Sequence, residues 1–553
     1  MVTPLNGACI MTKAKWMFAL AAAAACAISC GQPGTEPPAG AAAPAEPGVT
    51  AAPTGQTGAA FREPDVRRSA NGELNISLDL RFAKNTLAGR VAETATFEGG
   101  IPGPTFRIRP GDRFRIHYTN NLKYPESILP AAAAEQAQSM AAKMALPGMH
   151  MEGPPTPEQL NAGFLLSNIH THGLQVSPTG NADNPFLIFK PGDTFDYDIL
   201  LPKDQPAGLH WYHPHRHSSS AKQGWSGLGG AIIVEGEIDK VPEVAAAHER
   251  LMLLQEIWLD HNGHVPLGLP IPTAGDVPFS TIPAVPSDMY YTINGVHQPV
   301  LNVRPGSIER WRIANESPHK FSRLTLDGHT FSQISQDGIA FPEPKPRKEL
   351  LMAPGNRAEV LIKVEGPGTY KLNALAYDQG HPGGEMPQEL MLTMVSSGAP
   401  ESGSLPTRLV PAYRDVSKEP VVAQRKVVFS GVTAVAPVQF FLNKKKFDGD
   451  RSDANVTVGK VEEWTLVNDD VYQHPFHIHV NPFQVLEVNG SKYADDDVWW
   501  DTFALPPKSS VKVRMKFRPD VTGKTVYHCH ILPHEDNGMM SAFVLMPAGG
   551  GTK

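Results

Sequence analysis

Cysteine is almost missing from this chain. Four occur in 553 residues, and three of them, Cys9, Cys26 and Cys30, lie within the first thirty. An intramolecular disulfide framework in the folded part is therefore excluded. An excess of positive charge is lacking too. The 49 basic residues face 56 acidic ones, for a net charge of −7, so no nucleic-acid partner is expected. Beyond the N-terminus no segment is long and apolar enough to cross a bilayer. Long charged helical runs are few while proline is plentiful, at 52, which favours an all-β chain over a helical bundle. At roughly 100–200 residues per domain, the length calls for about three domains.

The N-terminus reads as a targeting segment. Lys13 and Lys15 precede an apolar run from Trp16 to Ser29, followed by Cys30-Gly31. A basic start, a short apolar stretch and small residues make a secretory signal. Met11 is an alternative start to Met1, since the first ten residues add nothing to such a signal. Ala27-Ile28-Ser29-Cys30 resembles a bacterial lipobox, whose cysteine is lipidated, and plain cleavage inside Ala-Cys-Ala is the alternative. The expected location is the periplasm or cell envelope, with membrane contact only through a lipid anchor on Cys30. From Gly31 to Ala60 the chain is Gly, Pro, Ala and Thr with few large apolar residues, a flexible tether.

Internal similarity sets the architecture. Arg109-Pro110-Gly111 leads to Asn120, Arg304-Pro305-Gly306 to Asn315, and Val458-Gly459 to Asn468, with nine residues from Gly to Asn each time. A second turn follows in each copy, at Lys190-Pro191-Gly192, Ala353-Pro354-Gly355 and Pro506-Pro507-Lys508. A tight turn followed by an alternating strand, recurring at domain-sized intervals, means one β-unit repeated three times. The expected domains are 61–238, 247–397 and 421–548, with a linker from Gly398 to Pro420. The two turns lie 49 residues apart in the second and third copies and 81 in the first. That places an insertion at about 123–165.

The chemistry lies in four histidine clusters: His170-Thr171-His172; His213-Pro214-His215; His474-Pro475-Phe476-His477-Ile478-His479; and His528-Cys529-His530 with His534 and Met539. On a strand, residues i and i+2 share a face, so each His-x-His pair presents two imidazoles side by side while Cys529 points the other way. One tripeptide then links a metal on one face to metals on the other through bonds alone. A thiolate, two imidazoles and a distant thioether make the trigonal blue-copper set, supplied by Cys529, His474, His534 and Met539. Met540 is the nearby competitor for the axial position. The remaining eight histidines are too many for one ion and fit a cluster of three. Others, such as His117, His248 and His329, lack such spacing and read as structural, as do His210 and His217.

On these motifs the chain resembles a three-domain multicopper oxidase, the family of laccases, ascorbate oxidase and bacterial cuprous oxidases. The resemblance implies three consecutive cupredoxin-like Greek-key β-sandwiches and four coppers per chain. His474, Cys529, His534 and Met539 would hold the type 1 copper, and His170 and His477 the type 2 copper. His172, His213 and His530 would hold one type 3 copper, and His215, His479 and His528 the other. It implies four one-electron oxidations of a donor coupled to reduction of O₂ to two waters, with electrons passing from Cys529 to His528 and His530. Glu535 and Asp183 resemble the family's proton-relay carboxylates, with a solvated surface acid as the alternative for each. Domain two offers Tyr370-Lys371-Leu372-Asn373 where the others carry ligands, so it is expected to be a spacer.

The default donor is a phenol or aromatic amine, with Cu(I) as runner-up. A copper-free binding protein on the same fold should show gaps in the ligand set, and this chain shows none. The insertion carries Met140, Met144, Met149, His150 and Met151. Thioethers select Cu(I), so it reads either as a cuprous-ion lid or as the apolar stripe of a short helix.

Overall fold

In the computed structural model, the described residues are 58–125, 164–265, 288–380, 384–432 and 439–548. The signal segment with Cys30, the tether up to residue 57 and the Met140–Met151 segment lie outside them, while Ala60, at the end of the expected tether, bridges Val300. Strands dominate. Among the described residues they form three successive pairs of facing sheets, a four-stranded with a five-stranded one, then twice a seven-stranded with a five-stranded one, and a two-stranded ribbon of Tyr377–Asp378 with Glu385–Met386.

The turn that opens each repeat does the same job three times. Gly111, Gly306 and Gly459 take φ of 88°, 76° and 74°, the left-handed region open to glycine without strain. The strands Arg113–Asn120, Ile308–Asn315 and Val461–Asn468 follow. Each pairs parallel with a long strand before it and antiparallel with the strand after the second turn. The closing asparagine is buried and pins the adjoining loops. Asn120 donates to the carbonyls of Leu165 and Phe189, Asn315 to Lys320 and Met352, and Asn468 to Tyr472, Leu505 and Pro506. Each also accepts from the amide two residues on. Satisfying these buried loop groups is why asparagine ends every copy.

Alternation along these strands buries one face against the opposite sheet. Phe106, Phe114 and Tyr212 fill the first core, Trp311 and Phe331 the second, Trp464 and Phe476 the third. The strand Ile308–Asn315 is buried on both faces, because its outer side packs against the first sandwich. Arg310 and Arg312 sit there with Asp239, Glu249 and Glu359 at 2.6–2.9 Å. Desolvated charges persist only when paired in this way.

Candidate metal centre

The first and third sandwiches bring their five-stranded sheets together, and all four histidine clusters arrive at that junction. His170 and His172 lie on the short strand His170–His172, with His170 opposite His213, the last residue of the strand Gly208–His213. His477, on the strand His474–Ile478, lies opposite His528 on the strand Gly523–Cys529.

Only His170 and His172 form a pair wholly within a strand. His215, His479 and His530 fall just past a strand end, where the chain leaves the ladder. Pro214 has no N–H to continue it. Strand alternation alone therefore does not aim three of the four pairs; the turns beyond the strands do.

Four groups of donor atoms result, each lying within 4.8 Å of one another: His474, Cys529 and His534; His170, His172 and His477; His172, His213 and His530; and His215, His479 and His528. All are buried. In the first, Cys529 Sγ lies 3.5 Å from His474 Nδ1 and 3.6 Å from His534 Nδ1, which are 3.1 Å apart. Those separations define a point about 2 Å from all three donors, an imidazole–metal bond length. Met539 is fully buried in the same core as Cys529, and its backbone joins Cys529 to His534. Met540 instead packs with Val526 and Ala542, against Phe186 and Phe447. Asp470 Oδ2 lies 3.4 Å from His474 Nε2.

The other three groups adjoin: His172 belongs to two of them, and the His170 ring stacks on that of His479 at 3.8 Å. His215 Nε2 is 3.1 Å from His528 Nε2 and 3.2 Å from His479 Nε2, and His172 Nδ1 is 3.2 Å from His530 Nε2. Fixing one ring nitrogen orients the other. Nδ1 of His170 faces Asp183, that of His213 the Pro214 carbonyl, that of His477 the Asp501 carbonyl, and that of His528 the Cys529 carbonyl. Nε2 of His170, His213 and His477 is buried with no hydrogen-bond partner. Buried nitrogens with lone pairs facing one another suit metal ions, with the second nitrogen held as metal-ligating histidines usually are. Burial drives the pKa values of His213, His479 and His528 down, to about 3 for His528, which keeps these rings neutral donors. Burial raises the Cys529 thiol, which only a metal cation would make a thiolate here. Soft thiolate, imidazole and thioether in one site, with imidazole alone in the rest, fit copper.

Both carboxylates singled out in the sequence are buried, and neither is a solvated surface acid. Asp183 lies 3.0 Å from His170 Nδ1 and accepts the Thr171 N–H at 2.9 Å. Glu535 lies on the short helix Leu532–Asp536, 3.2 Å from His528 Nδ1 and 3.9 Å from His215 Nδ1. Burial, reinforced by the neighbouring Asp536, pushes its pKa well up and so favours the protonated form.

Asp470, beside His474, and Asp501 escaped the sequence reading. Asp501 Oδ1 is 3.2 Å from His172 Nε2. Asp501 has no motif spacing from any histidine; only the pairing of His477 with Thr502 across two strands brings it in. A cavity of about 310 Å³ reaches His215, lined by Phe186, His217, Phe447 and Met540. A larger one of about 890 Å³, lined by Arg107, Arg310 and Tyr413, touches none of the clustered histidines.

Three stretches match family models described as multicopper oxidase: residues 81–141 with 162–238, residues 272–388, and residues 419–549. The chain is similar to the multicopper oxidase mco of Staphylococcus aureus, at 26% identity over 86% of this chain and 89% of that one. A laccase of Bacillus subtilis is 25% identical over 80% and 88% of the two chains. The cell division protein FtsP of Xenorhabdus nematophila is 25% identical over 82% and 85%. Among solved structures, a metallo-oxidase from Campylobacter jejuni superposes with a TM-score of 0.70 at 23% identity, covering 89% of this chain and 96% of that one. That likeness shows the fold, three consecutive cupredoxin-like sandwiches.

Proposed function

The chain belongs to the multicopper oxidase family, and from that premise we propose that it oxidises a phenolic or aromatic donor, laccase-like, at the expense of O₂. It is a copper-dependent oxidoreductase. His474, Cys529 and His534, with Met539 as axial partner, are the ligands we assign to type 1 copper. His170 and His477 take type 2, and His172, His213, His530 and His215, His479, His528 the two type 3 ions. Copper in these places supplies one-electron oxidation of the donor and four-electron reduction of O₂ to water.

The observation that carries this reading is that Cys529 belongs to one donor group while its chain neighbours His528 and His530 belong to two others. With copper bound at both, the His528-Cys529-His530 tripeptide would give electrons a path between the sites through covalent bonds alone. The protein residues do the rest. Asp183 orients His170. Glu535, its pKa raised by burial and lying beside His528 and His215, is placed to hold a proton next to the clustered histidines. The buried imidazoles stay unprotonated and ready to ligate. The complete ligand set also argues against a binding role without redox chemistry, whatever the likeness to a cell division protein.

Cu(I) is the second donor reading, favoured by the methionines of residues 140–151. Steady-state kinetics of the copper-loaded protein with a phenol and with Cu(I), each against O₂ consumption, test the choice. A much larger kcat/KM for Cu(I), lost on deleting Met140–Met151, would overturn the phenolic reading. The basic, apolar leader supports export, with Cys30 as anchor; mass spectrometry of the mature N-terminus tests the lipid.

A further inference from the structure

The middle sandwich supplies none of the clustered histidines, yet its second turn reaches them. Gly355 has φ +90°, and its backbone lies flat on a ring: a Cβ there would stand 2.9 Å from Cδ2 and 3.1 Å from Nε2 of His530. Two residues on, Arg357 is fully buried. Its Nη1 donates to Asp501 Oδ1 at 2.7 Å and its Nη2 to Oδ2 at 2.6 Å, while Nη1 also donates to the Gly355 carbonyl at 3.0 Å. The Asp501 carboxylate faces His172 Nε2, and its carbonyl accepts from His477 Nδ1 at 2.9 Å. Asp337, also of the middle sandwich, accepts the backbone N–H groups of Arg357, Asp501 and Thr502 at 2.9–3.2 Å. Asn356 Nδ2 donates to the Thr502 carbonyl at 2.8 Å.

A spacer needs none of this. Burying a guanidinium and two carboxylates is unfavourable unless geometry is tight, and the two-pronged Arg–carboxylate contact fixes position and angle together. A lysine cannot reproduce it. Space is reserved for the arrangement as well: Gly173, next to His172, would collide with Arg357 Nη2 if it carried a Cβ.

We propose that the middle sandwich is a working part of the copper cluster, with Arg357 the positioning residue that sets His172 and His477 through Asp501 while Gly355 backs His530. This rests on the copper assignment above. It turns the expected spacer into a third contributor to the site: the first sandwich provides His172, the third His477 and His530, and the middle one the fixture that aligns them. Arg357 touches neither metal nor substrate, so its effect is on ligand placement.

The test compares wild type with Arg357→Lys, Asp501→Asn and Arg312→Lys, each copper-loaded. Three readouts are the blue absorption band, copper retained against a competing chelator, and the type 2 copper EPR signal. Arg357→Lys and Asp501→Asn should both lose cluster copper about 10–100-fold more readily, the usual effect of removing an outer partner of a metal ligand. Their EPR hyperfine pattern should change and the blue band should not. Arg312→Lys, which loosens the buried ion pairs between the first and middle sandwiches, should lower thermal stability and leave copper retention and EPR as in wild type. Should Arg357→Lys fail to fold, the nearly isosteric Asp501→Asn carries the test alone. Wild-type retention and spectrum in the variants would overturn the proposal. A wild-type protein that binds copper without any blue band would instead refute the copper assignment beneath it.

Discussion

Replacing Asp183 with Asn separates two roles that the family resemblance leaves joined, proton relay and ligand orientation. The carboxylate accepts the Thr171 N–H at 2.9 Å through Oδ1 and lies 3.0 and 3.1 Å from His170 Nδ1. Asparagine keeps the shape and one acceptor. With its oxygen kept on Thr171, 3.1 Å from His170 Nδ1, its NH₂ takes the nearer Oδ2 place at 3.0 Å and faces the Nδ1–H, donor against donor. The lost bond is buried and charge-assisted, worth about 1.5–3 kcal/mol. At 1.4 kcal/mol per tenfold, the hold on copper ligated by His170 should weaken by about 10–150-fold. Chelator competition followed through the type 2 EPR signal measures this, with the blue band as internal standard for the distant Cys529 site. If Asp183→Asn keeps its copper and its EPR signal while turnover collapses, the orientation argument is refuted and Asp183 is a proton carrier.

Cys529→Ser should abolish the blue band and oxidase turnover while circular dichroism stays that of a folded β protein; strong blue absorption in that variant would sink the assignment. Met539→Leu should raise the reduction potential of the blue site, since the axial thioether favours the oxidised ion, whereas Met540→Leu should not; electrochemistry giving the reverse pattern exchanges the two residues. Glu535→Gln should lower kcat by about 10²–10⁴-fold, as loss of a positioned proton donor does, with blue band, copper content and donor KM unchanged. The pH dependence of copper binding has a definite sign. Burial holds Cys529 as a thiol in the metal-free protein and pushes the imidazole pKa values of His474 and His528 down. Loading the Cys529 thiol therefore releases one proton, and the affinity of the blue site should rise about tenfold per pH unit between about pH 6 and 8. Calorimetry in buffers of different ionisation enthalpy counts those protons, and two or more at the blue site would contradict the burial argument.

Much of this protein is written locally in its chain. The Gly-to-Asn spacing of nine residues, met three times, marks one β-unit because a left-handed turn and a loop-pinning asparagine are local requirements of that unit. The donor residues are equally legible: thiolate, imidazole and thioether identify copper by their chemistry wherever the fold puts them, and Cys529 joins two sites because neighbours in sequence are neighbours in space. What the sequence could not carry is everything that depends on contact across the sheets. Asp501 is 24 residues from His477 and 329 from His172, and only strand pairing and the meeting of two sandwiches make it a partner of both. Asp183 and Glu535 could be surface acids or buried ones until burial was known, and burial is a property of the packed molecule. The middle domain looked idle because it has no ligand, and sequence reading finds ligands, not the residues that aim them. Arg357 sits two residues past a turn like any other; its function exists only where three sandwiches meet, since distance and angle to Asp501 are set by tertiary packing alone.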